Sequence, residues 1–391
     1  MQVLNNRMKE MDMSGGLYEI FQTALEMEEH GEKIIHMEIG KPDFDSPKIA
    51  KEALIKSLNE GFVHYTAMAG IKPLREAIAA KEKKKNGIIF DPETEIVVTA
   101  GACEALMAFM LTALNPGDEI LIPSPFFSAY SDIAQIAGVK IKEVPLRFEN
   151  QFELKVEDLE EAVTEKTKAV LINTPHNPTG AVIGEEELKK IAEFAIKYDL
   201  LVVSDETYDQ FLFEGKHVSL YTLPGMKERT VVVNSTSKTF SMTGWRVGYI
   251  IAQKELATYL NKVHQNMSTC ATSFVQVGAA KAFLEGDSFT RAMVEEFRER
   301  RDLLVEGLSK IDGIEVVVPK GAFYILPRIN KLGISSREFC NQLLRQAGVA
   351  TVPGDAFGKA GDGFIRMAYA CSREDIILAT ERIKNFVEQN F

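Results

Sequence analysis

Three apolar runs near the middle of the chain each end in polar residues. They cover residues 168–172, 200–203 and 230–233, and none of them alternates between apolar and polar positions. Continuous apolar strands with helical stretches between them are typical of a parallel sheet that helices cover on both faces. The pattern therefore predicts an α/β fold with a mainly parallel central sheet flanked by helices.

Further helices and strands are predicted on either side of these runs. A helix at 72–86 is bounded by Pro73 near its start and Gly87 after its end, and its lysine-rich segment 81–85 is interpreted as a solvated last turn. After Gly248 the pattern turns helical. The other predicted strands are 95–99, 314–319, 322–327 and 364–368, and the other predicted helices are 101–114, 287–311, 336–346 and 373–389.

A change of pattern divides the chain into two predicted domains. Strand, turn and helix alternate as far as residue 203, whereas the long charged helix that starts at 287 is expected to leave the main sheet. The segment after this helix mixes short strands and helices. We therefore predict a large domain at 46–285 and a smaller α+β domain formed by 1–45 plus 286–391.

Composition restricts the function without identifying it. The formal net charge of −11 argues against broad binding to nucleic acid or to anionic membranes. No apolar stretch approaches the length of a membrane span, and the N-terminus lacks the apolar core of a signal peptide. The four cysteines are widely spaced, and the six histidines show no metal-binding pattern. We expect a cytoplasmic protein with no metal site and with neither nucleic acid nor membrane as a partner.

Lys238 is the residue with the clearest chemical implication. It follows the apolar run at 230–233, and a lysine at the end of a buried strand is unfavourable unless its amine is used. Ser235 and Ser237 stand just before it, and Arg246 follows eight residues later. A lysine amine can form an imine with a carbonyl group, while hydroxyls and an arginine can hold a phosphate. The combination indicates pyridoxal 5'-phosphate as the cofactor.

Polar residues after the other two runs are expected to lie close to this lysine. Asn177 follows the first run, and Asp205 and Tyr208 follow the second. In open α/β sheets, ligands collect at the carboxyl ends of the strands. These three residues and Lys238 are therefore predicted to converge in one crevice.

These segments resemble, in their order and spacing, those of the class I/II aminotransferases among the fold type I pyridoxal-phosphate enzymes. The resemblance is greatest to the aspartate/aromatic/alanine aminotransferase group, and it runs from about residue 40 to about residue 367. It implies a fold type I enzyme whose large domain binds the cofactor. The segments that carry it are Gly-Lys-Pro-Asp-Phe at 40–44, Tyr-Thr at 65–66, Asn-Pro-Thr-Gly at 177–180, Asp-Glu-Thr-Tyr at 205–208, Ser-Lys at 237–238 and Gly-Trp-Arg-Val-Gly at 244–248.

The resemblance implies roles for the residues around the cofactor ring. Lys238 would hold the cofactor covalently and later move a proton at the substrate Cα. Asp205 would keep the pyridine nitrogen protonated, so that the ring accepts electrons from Cα. Tyr208 and Asn177 would hydrogen-bond the phenolic oxygen. Phe127 would stack on the ring.

The resemblance also implies a phosphate site and a dimer. Backbone N–H groups at the start of a helix attract anions without a charged side chain. Tyr65 is similar to a tyrosine that reaches the phosphate in the partner subunit, so we expect a homodimer. The phosphate ligands within the chain would be Ser235, Ser237, Arg246 and the backbone amides of Gly101, Ala102 and Cys103.

Arg366 is the candidate for substrate binding, because it is an arginine inside an apolar strand. A buried arginine needs an anionic partner, and the resemblance makes that partner the substrate α-carboxylate. Gly40 would bring its backbone close to the same carboxylate, and Phe127 and Asn177 would also contact the substrate. Some bacterial relatives carry a lysine for a second carboxylate where this chain has Cys103, which argues against a strict preference for aspartate.

The resulting hypothesis is an aminotransferase that moves the amino group of an L-amino acid to a 2-oxo acid in a ping-pong cycle. By family analogy the acceptor would be 2-oxoglutarate, whereas the sequence leaves the donor open. One alternative is another pyridoxal-phosphate enzyme on the same scaffold, of the β-lyase or cyclopropane-carboxylate synthase type. A second alternative is a regulator with an aminotransferase-like domain, although such regulators carry an N-terminal DNA-binding module and only about forty residues precede Gly40.

Overall fold

The computed structural model describes residues 4–9, 11 and 16–391. Among these residues, no helix is both long enough and apolar enough to cross a membrane. The α-helices are α1 (Asn6–Lys9), α2 (Gly16–Glu29), α3 (Lys48–Asn59), α4 (Lys72–Asn86), α5 (Ala102–Ala113), α6 (Ala129–Ala137), α7 (Val156–Ala162), α8 (Glu185–Lys197), α9 (Thr236–Thr239), α10 (Lys254–Ser268), α11 (Ser273–Glu285), α12 (Asp287–Leu308), α13 (Ser336–Ala347) and α14 (Arg373–Asn390). The strands are β1 (Ile35–His36), β2 (Ile96–Thr99), β3 (Glu119–Ser124), β4 (Lys140–Pro145), β5 (Thr167–Asn173), β6 (Leu201–Asp205), β7 (Thr230–Ser235), β8 (Gly248–Ile251), β9 (Tyr324–Ile325), β10 (Val349–Ala350), β11 (Val352–Pro353) and β12 (Ile365–Ala368).

A seven-stranded sheet forms the centre of the fold. Its strand order is β2-β8-β7-β6-β5-β3-β4, and the neighbours from β7 to β4 pair in parallel. The three apolar runs become β5, β6 and β7, as predicted. Their side chains are buried almost throughout, because both faces of the sheet are covered. The parallel pairing brings the carboxyl ends of these strands to one edge.

Helices pack on both faces of this sheet. Val231 and Val233 of β7 face a cluster that includes residues of α5 and α10, whereas Val232 faces the opposite side, where α4 and α11 pack. Farther along that opposite side, α8 covers β5 and β6. Alternating strand residues thus contribute to two separate layers of core.

The strand β8 was not predicted, because the sequence after Gly248 was interpreted as helical. The chain instead forms an antiparallel strand between β2 and β7, and its residues are fully buried. Gly248 matters locally: a Cβ there would lie 2.7 Å from the backbone nitrogen of Ala102, so only glycine permits this approach. The strand therefore supports the turn that begins α5.

A second core lies around helices α12, α13 and α14. It includes residues of β9 and β12, which pair in the antiparallel sheet β11-β12-β9, and the buried residues Ile20 and Ala24 of α2. The predicted strand at 314–319 was wrong, since this segment forms only an isolated bridge between Glu315 and Arg328. The division into a domain at 46–285 and one formed by 1–45 plus 286–391 stays a prediction.

The lysine-rich end of α4 is only partly solvated, which corrects the prediction of a solvated turn. The side chains of Lys81 and Lys85 are 12% and 13% exposed. Lys85 Nζ lies 2.6 Å from Asp209 and 3.2 Å from Glu206, and Lys81 Nζ lies 3.1 Å from Asp209. These carboxylates lie directly after β6, so the two lysines of α4 hold the segment that leaves the sheet at the end of β6.

Candidate active site

A cavity of about 280 Å³ opens at the carboxyl ends of β5, β6 and β7. It collects most of the residues that the sequence predicted for a single site. The predicted residues that line it are Gly40, Ala102, Cys103, Phe127, Asn177, Asp205, Tyr208, Ser235, Ser237, Lys238, Arg246 and Arg366.

Two predicted residues do not line this cavity. Gly101 lies just beside it with φ of 91°, and a Cβ there would overlap the guanidinium of Arg246. Tyr65 is 84% exposed and lies on the segment between α3 and α4. Its hydroxyl therefore has no contact with the cavity of its own chain.

Lys238 reaches the cavity from α9, the short helix that starts directly after β7. Its Nζ donates a hydrogen bond to the carbonyl oxygen of Gly40. Burial, together with the nearby charge of Arg366, lowers the pKa of Lys238 from 10.5 to about 8. A lowered pKa increases the share of neutral amine near pH 7, which is the nucleophilic form.

Asp205 ends β6 at the floor of the cavity. The Tyr130 hydroxyl donates to its Oδ2 at 2.7 Å, and Thr207 donates to its Oδ1 through the backbone N–H at 3.1 Å and the hydroxyl at 2.6 Å. Burial raises the pKa of Asp205, although these hydrogen bonds oppose the shift. A cation beside the carboxylate would favour its ionised form, so the position suits a protonated ring nitrogen.

Asn177 and Tyr208 present polar groups to the same space. The backbone N–H of Asn177 donates to Asn173 Oδ1 at 2.9 Å, which fixes the turn after β5. The side-chain Oδ1 of Asn177 is buried and has no hydrogen-bond partner in the described part of the chain. Such atoms are uncommon in folded proteins, and this one is consistent with a ligand-binding position.

Several groups that line the cavity can donate hydrogen bonds. Ser235 caps α9, its Oγ accepting from the backbone N–H of Ser237 at 3.3 Å. Arg246 donates to the carbonyl oxygens of Thr243 at 3.0 Å and Ala100 at 3.4 Å. Arg246 makes no ion pair with a carboxylate within residues 16–391. Hydroxyls, helix-start amides and an uncompensated guanidinium together suit a phosphate.

Arg366 comes from β12 and is 2% exposed. Its Nη2 donates to the carbonyl oxygen of Glu38, but its buried Nε has no partner among the described residues. The guanidinium carbon lies 4.8 Å from the ring centres of Tyr324 and Phe357. Aromatic rings orient the cation without neutralising it, so an anion is the missing complement.

Two tyrosines at the site were missed by the sequence analysis. Tyr130 donates to Asp205; it lies in the first turn of α6, three residues after Phe127, and the two rings meet edge to face with their centres 5.5 Å apart. Tyr324 lies 2.8 Å, oxygen to oxygen, from Tyr208. It also blocks any side chain at position 40, since a Cβ on Gly40 would overlap its hydroxyl. Its distance from Tyr208 along the chain left no local signal.

The residues present fit pyridoxal phosphate. The cavity offers an amine with a lowered pKa at Lys238, a carboxylate at Asp205 and the side-chain amide of Asn177, whose N–H can donate to the ring oxygen. Donors for a phosphate lie together at one end, near Ser235 and Arg246. Each of these groups is of the kind that binds one part of that cofactor.

Comparison with known proteins gives consistent matches along almost the whole chain. A family model described as aminotransferase class I and II matches residues 32–383. The chain is 43% identical to aromatic-amino-acid aminotransferase 2 of Thermococcus litoralis, with 92% of each chain covered. It is 44% identical to an aspartate aminotransferase of Pyrococcus abyssi, with 91% of this chain and 92% of that protein covered.

A solved structure shows the same similarity in three dimensions. The aspartate aminotransferase of Thermus thermophilus with maleate superposes with a TM-score of 0.93 and is 36% identical in sequence. The match covers 98% of this chain and 100% of that one.

Proposed function

The chain belongs to the aminotransferase class I and II family, and on that premise we propose that the cavity containing Lys238, Asp205 and Arg366 is its active site. The protein is a pyridoxal-phosphate-dependent transaminase of fold type I, which transfers an amino group from an amino acid to a 2-oxo acid. By analogy with the family we propose 2-oxoglutarate as the acceptor. The observation that carries the assignment is that the Lys238 amine and the incompletely bonded Arg366 guanidinium line one cavity.

Each residue has a role that follows from its position. Pyridoxal phosphate supplies a reactive carbonyl and a ring that accepts electrons from the substrate Cα. Lys238 would bind at that carbonyl, and its free amine would accept and return the proton at Cα. Asp205 would stabilise the positive charge on the ring nitrogen, and Tyr130 and Thr207 fix the orientation of its carboxylate.

The remaining residues orient the two ligands. Asn177 and Tyr208 would hydrogen-bond the ring oxygen, and Phe127 would pack against the ring. Arg366 binds the α-carboxylate of the amino acid, close to the Gly40 backbone. The proposed phosphate ligands are Ser235, Ser237, Arg246 and the amides of Gly101, Ala102 and Cys103.

We also propose that the active unit is a homodimer. Tyr65 is 84% exposed, and the neighbouring Phe62 and Val63 are 40% and 51% exposed. Exposed apolar residues in a cluster favour a protein interface. In a symmetric dimer, Tyr65 would contact the phosphate in the partner's site. A cytoplasmic location is proposed from the four free cysteines.

Chemical trapping tests the central assignment. Borohydride treatment of the yellow holoenzyme, followed by peptide mapping, is expected to find the cofactor on Lys238. The Lys41→Ala variant is the control, since Lys41 is an exposed lysine next to Gly40 and the label should persist without it. Label on any lysine other than Lys238 would contradict the site. Formation of a 2-oxo acid from an amino acid without release of ammonia would separate transfer from elimination.

A further inference from the structure

A buried hydrogen-bond network lies behind the phosphate end of the cavity. Glu104 stands in the first turn of α5, and its Oε2 accepts from the backbone N–H of Ala100. Its Oε1 accepts from Ser268 Oγ at 2.7 Å and faces His264 Nδ1 at 2.8 Å. Burial opposes ionisation of Glu104, but the hydrogen bonds from His264, Ser268 and Ala100 outweigh it and lower its pKa. The carboxylate thus fixes the turn at Ala100 and Gly101.

His264 connects this turn to a second segment. Its side chain is fully buried in α10, and its Nε2 lies 3.1 Å from the carbonyl oxygen of Met68. Met68 belongs to the stretch between α3 and α4 that also carries Tyr65. One imidazole therefore contacts an acceptor oxygen on each side: a carboxylate that holds the glycine turn, and a carbonyl of the Tyr65 segment.

Other side chains hold the Tyr65 segment but do not reach the glycine turn. Ser273 Oγ donates to the carbonyl oxygen of Phe62 at 3.1 Å. Gln276 Nε2 donates to Thr66 Oγ1 at 3.2 Å. Among the described residues that bind this segment through their side chains, His264 alone also contacts Glu104.

Both connected segments have a part in the proposed phosphate site. The glycine turn would offer amides to the phosphate of its own chain, and Tyr65 would offer its hydroxyl to the phosphate of the partner. A misplacement of either segment would lengthen hydrogen bonds to the phosphate. Residues behind the direct ligands often determine whether those ligands are correctly placed.

We propose that His264 is a positioning residue for cofactor binding, which joins the glycine turn of one site to the Tyr65 segment offered to the other. The inference rests on the proposed function, since it needs a phosphate at the Gly101 turn. It assigns His264 no contact with substrate or cofactor. Its effect is on the strength with which the phosphate is held in both sites of the dimer.

The test compares two cofactors that differ only in the phosphate. Apoprotein is titrated with pyridoxal phosphate and with pyridoxal, and binding is followed by absorbance. The dissociation constant of pyridoxal divided by that of pyridoxal phosphate measures how much the phosphate contributes to binding. His264→Leu removes the contacts with both Glu104 and Met68, and we expect this ratio to fall by about tenfold or more. Amide hydrogen exchange at residues 62–70 should also become faster.

Two further variants separate the two hydrogen bonds. His264→Asn retains a donor at the position of Nδ1 towards Glu104, and His264→Gln retains one at the position of Nε2 towards Met68. Both ratios are expected to lie between those of the wild type and His264→Leu. If His264→Leu does not fold, these two variants decide the question by themselves. Ser273→Ala is the matched control, because it loosens the segment at Phe62 alone, and its ratio should stay within about twofold of wild type.

The possible failures can be told apart. If the His264 variants bound pyridoxal phosphate and pyridoxal more weakly by the same factor, His264 would have a purely structural role and the inference would be overturned. Wild-type ratios in all three His264 variants would overturn it as well. If the wild type itself bound both compounds equally, the proposed phosphate site at Gly101 and Arg246 would be wrong. The inference about His264 would then be wrong as well.

Discussion

Arg366 shows how a single side chain constrains the function. A guanidinium has five N–H donors and remains charged in proteins, so burying it without a carboxylate is unfavourable. In this structure it donates to a carbonyl oxygen and packs against two aromatic rings, and Nε remains unbonded among the described residues; the Glu38 carboxylate acts on its charge but accepts no hydrogen bond from it. Burial lowers the pKa of Arg366, which reflects the same imbalance. A substrate carboxylate would correct it.

Replacement of Arg366 by lysine should therefore damage amino-acid binding. A point ammonium cannot reproduce the planar fork, and we expect kcat/KM for the amino acid to fall by the equivalent of about 2–5 kcal/mol. Cofactor loading, measured by absorbance, should remain at the wild-type level. Arg328→Lys makes the same change at an arginine that pairs with Glu315 and Glu149 away from the cavity, and it should retain activity. An assay in which amines without a carboxylate reacted as well as amino acids would exclude this role.

The residues that sequence could predict are those with a local signal. Lys238, Asp205 and Asn177 each follow an apolar run, and parallel strands bring such positions together whatever lies between them. Tyr324 has no such signal, because its contact with Tyr208 spans 116 residues. His264 sits in a helix of mixed composition, and its importance depends on a non-local contact with Met68. Contacts of this kind arise from tertiary packing.

At the scale of elements, the pairing of strands explains both success and failure. The runs that became β5, β6 and β7 are predictable, because continuous apolar residues between helices have few other solutions. The strand β8 is four residues long, and its apolar residues could equally continue into the helix that follows. Its conformation is decided by hydrogen bonds to β2 and β7, which are distant in sequence. The segment 314–319 was wrongly predicted as a strand, because it has β-forming residues but pairs only at the single bridge between Glu315 and Arg328.

The contact between α4 and the segment after β6 contributes to the free energy of unfolding, and this contribution depends on pH. Burial opposes ionisation of Glu206, but Lys85 and His217 outweigh it and lower its pKa from 4.5 to about 2. The pKa of Asp209 is also lowered, since Lys81 and Lys85 outweigh its burial. A carboxylate whose pKa is lower in the folded state stabilises the fold above its unfolded pKa. That contribution is lost as the pH falls from 4.5 towards 2.

Removal of Lys85 should reduce this pH dependence. At pH 7 we expect Lys85→Met to lower the free energy of unfolding by about 3–5 kcal/mol, because it leaves buried carboxylates without their cation. The difference in the free energy of unfolding between the variant and the wild type should become smaller as the pH approaches 3, where the carboxylates begin to bind protons. Urea unfolding at a series of pH values measures this. Lys84→Met is the control, since Lys84 pairs with Asp287 at the surface and should contribute little. A constant difference at all pH values would contradict the assignment.

At the scale of the whole molecule, one chain contains most of the proposed site but leaves Tyr65 outside it. The cavity already contains the amine of Lys238, the carboxylate of Asp205 and the guanidinium of Arg366. A tyrosine that is 84% exposed beside exposed Phe62 and Val63 is unusual for a residue that serves only its own chain. A twofold axis near this segment would give two equivalent sites, each completed by the other subunit.

Subunit mixing tests this arrangement. Lys238→Ala should be inactive, and Tyr65→Asp should be severely impaired because its carboxylate would repel the partner's phosphate. In a hybrid of the two, one site carries both lesions and the other carries neither, so random exchange should restore about one quarter of wild-type activity. Mixing Lys238→Ala with Asp205→Asn is the control, because both lesions lie in their own chain's site and every hybrid site remains damaged. If affinity tags demonstrate hybrids but activity does not return in the first mixture, Tyr65 acts within its own subunit or only in packing.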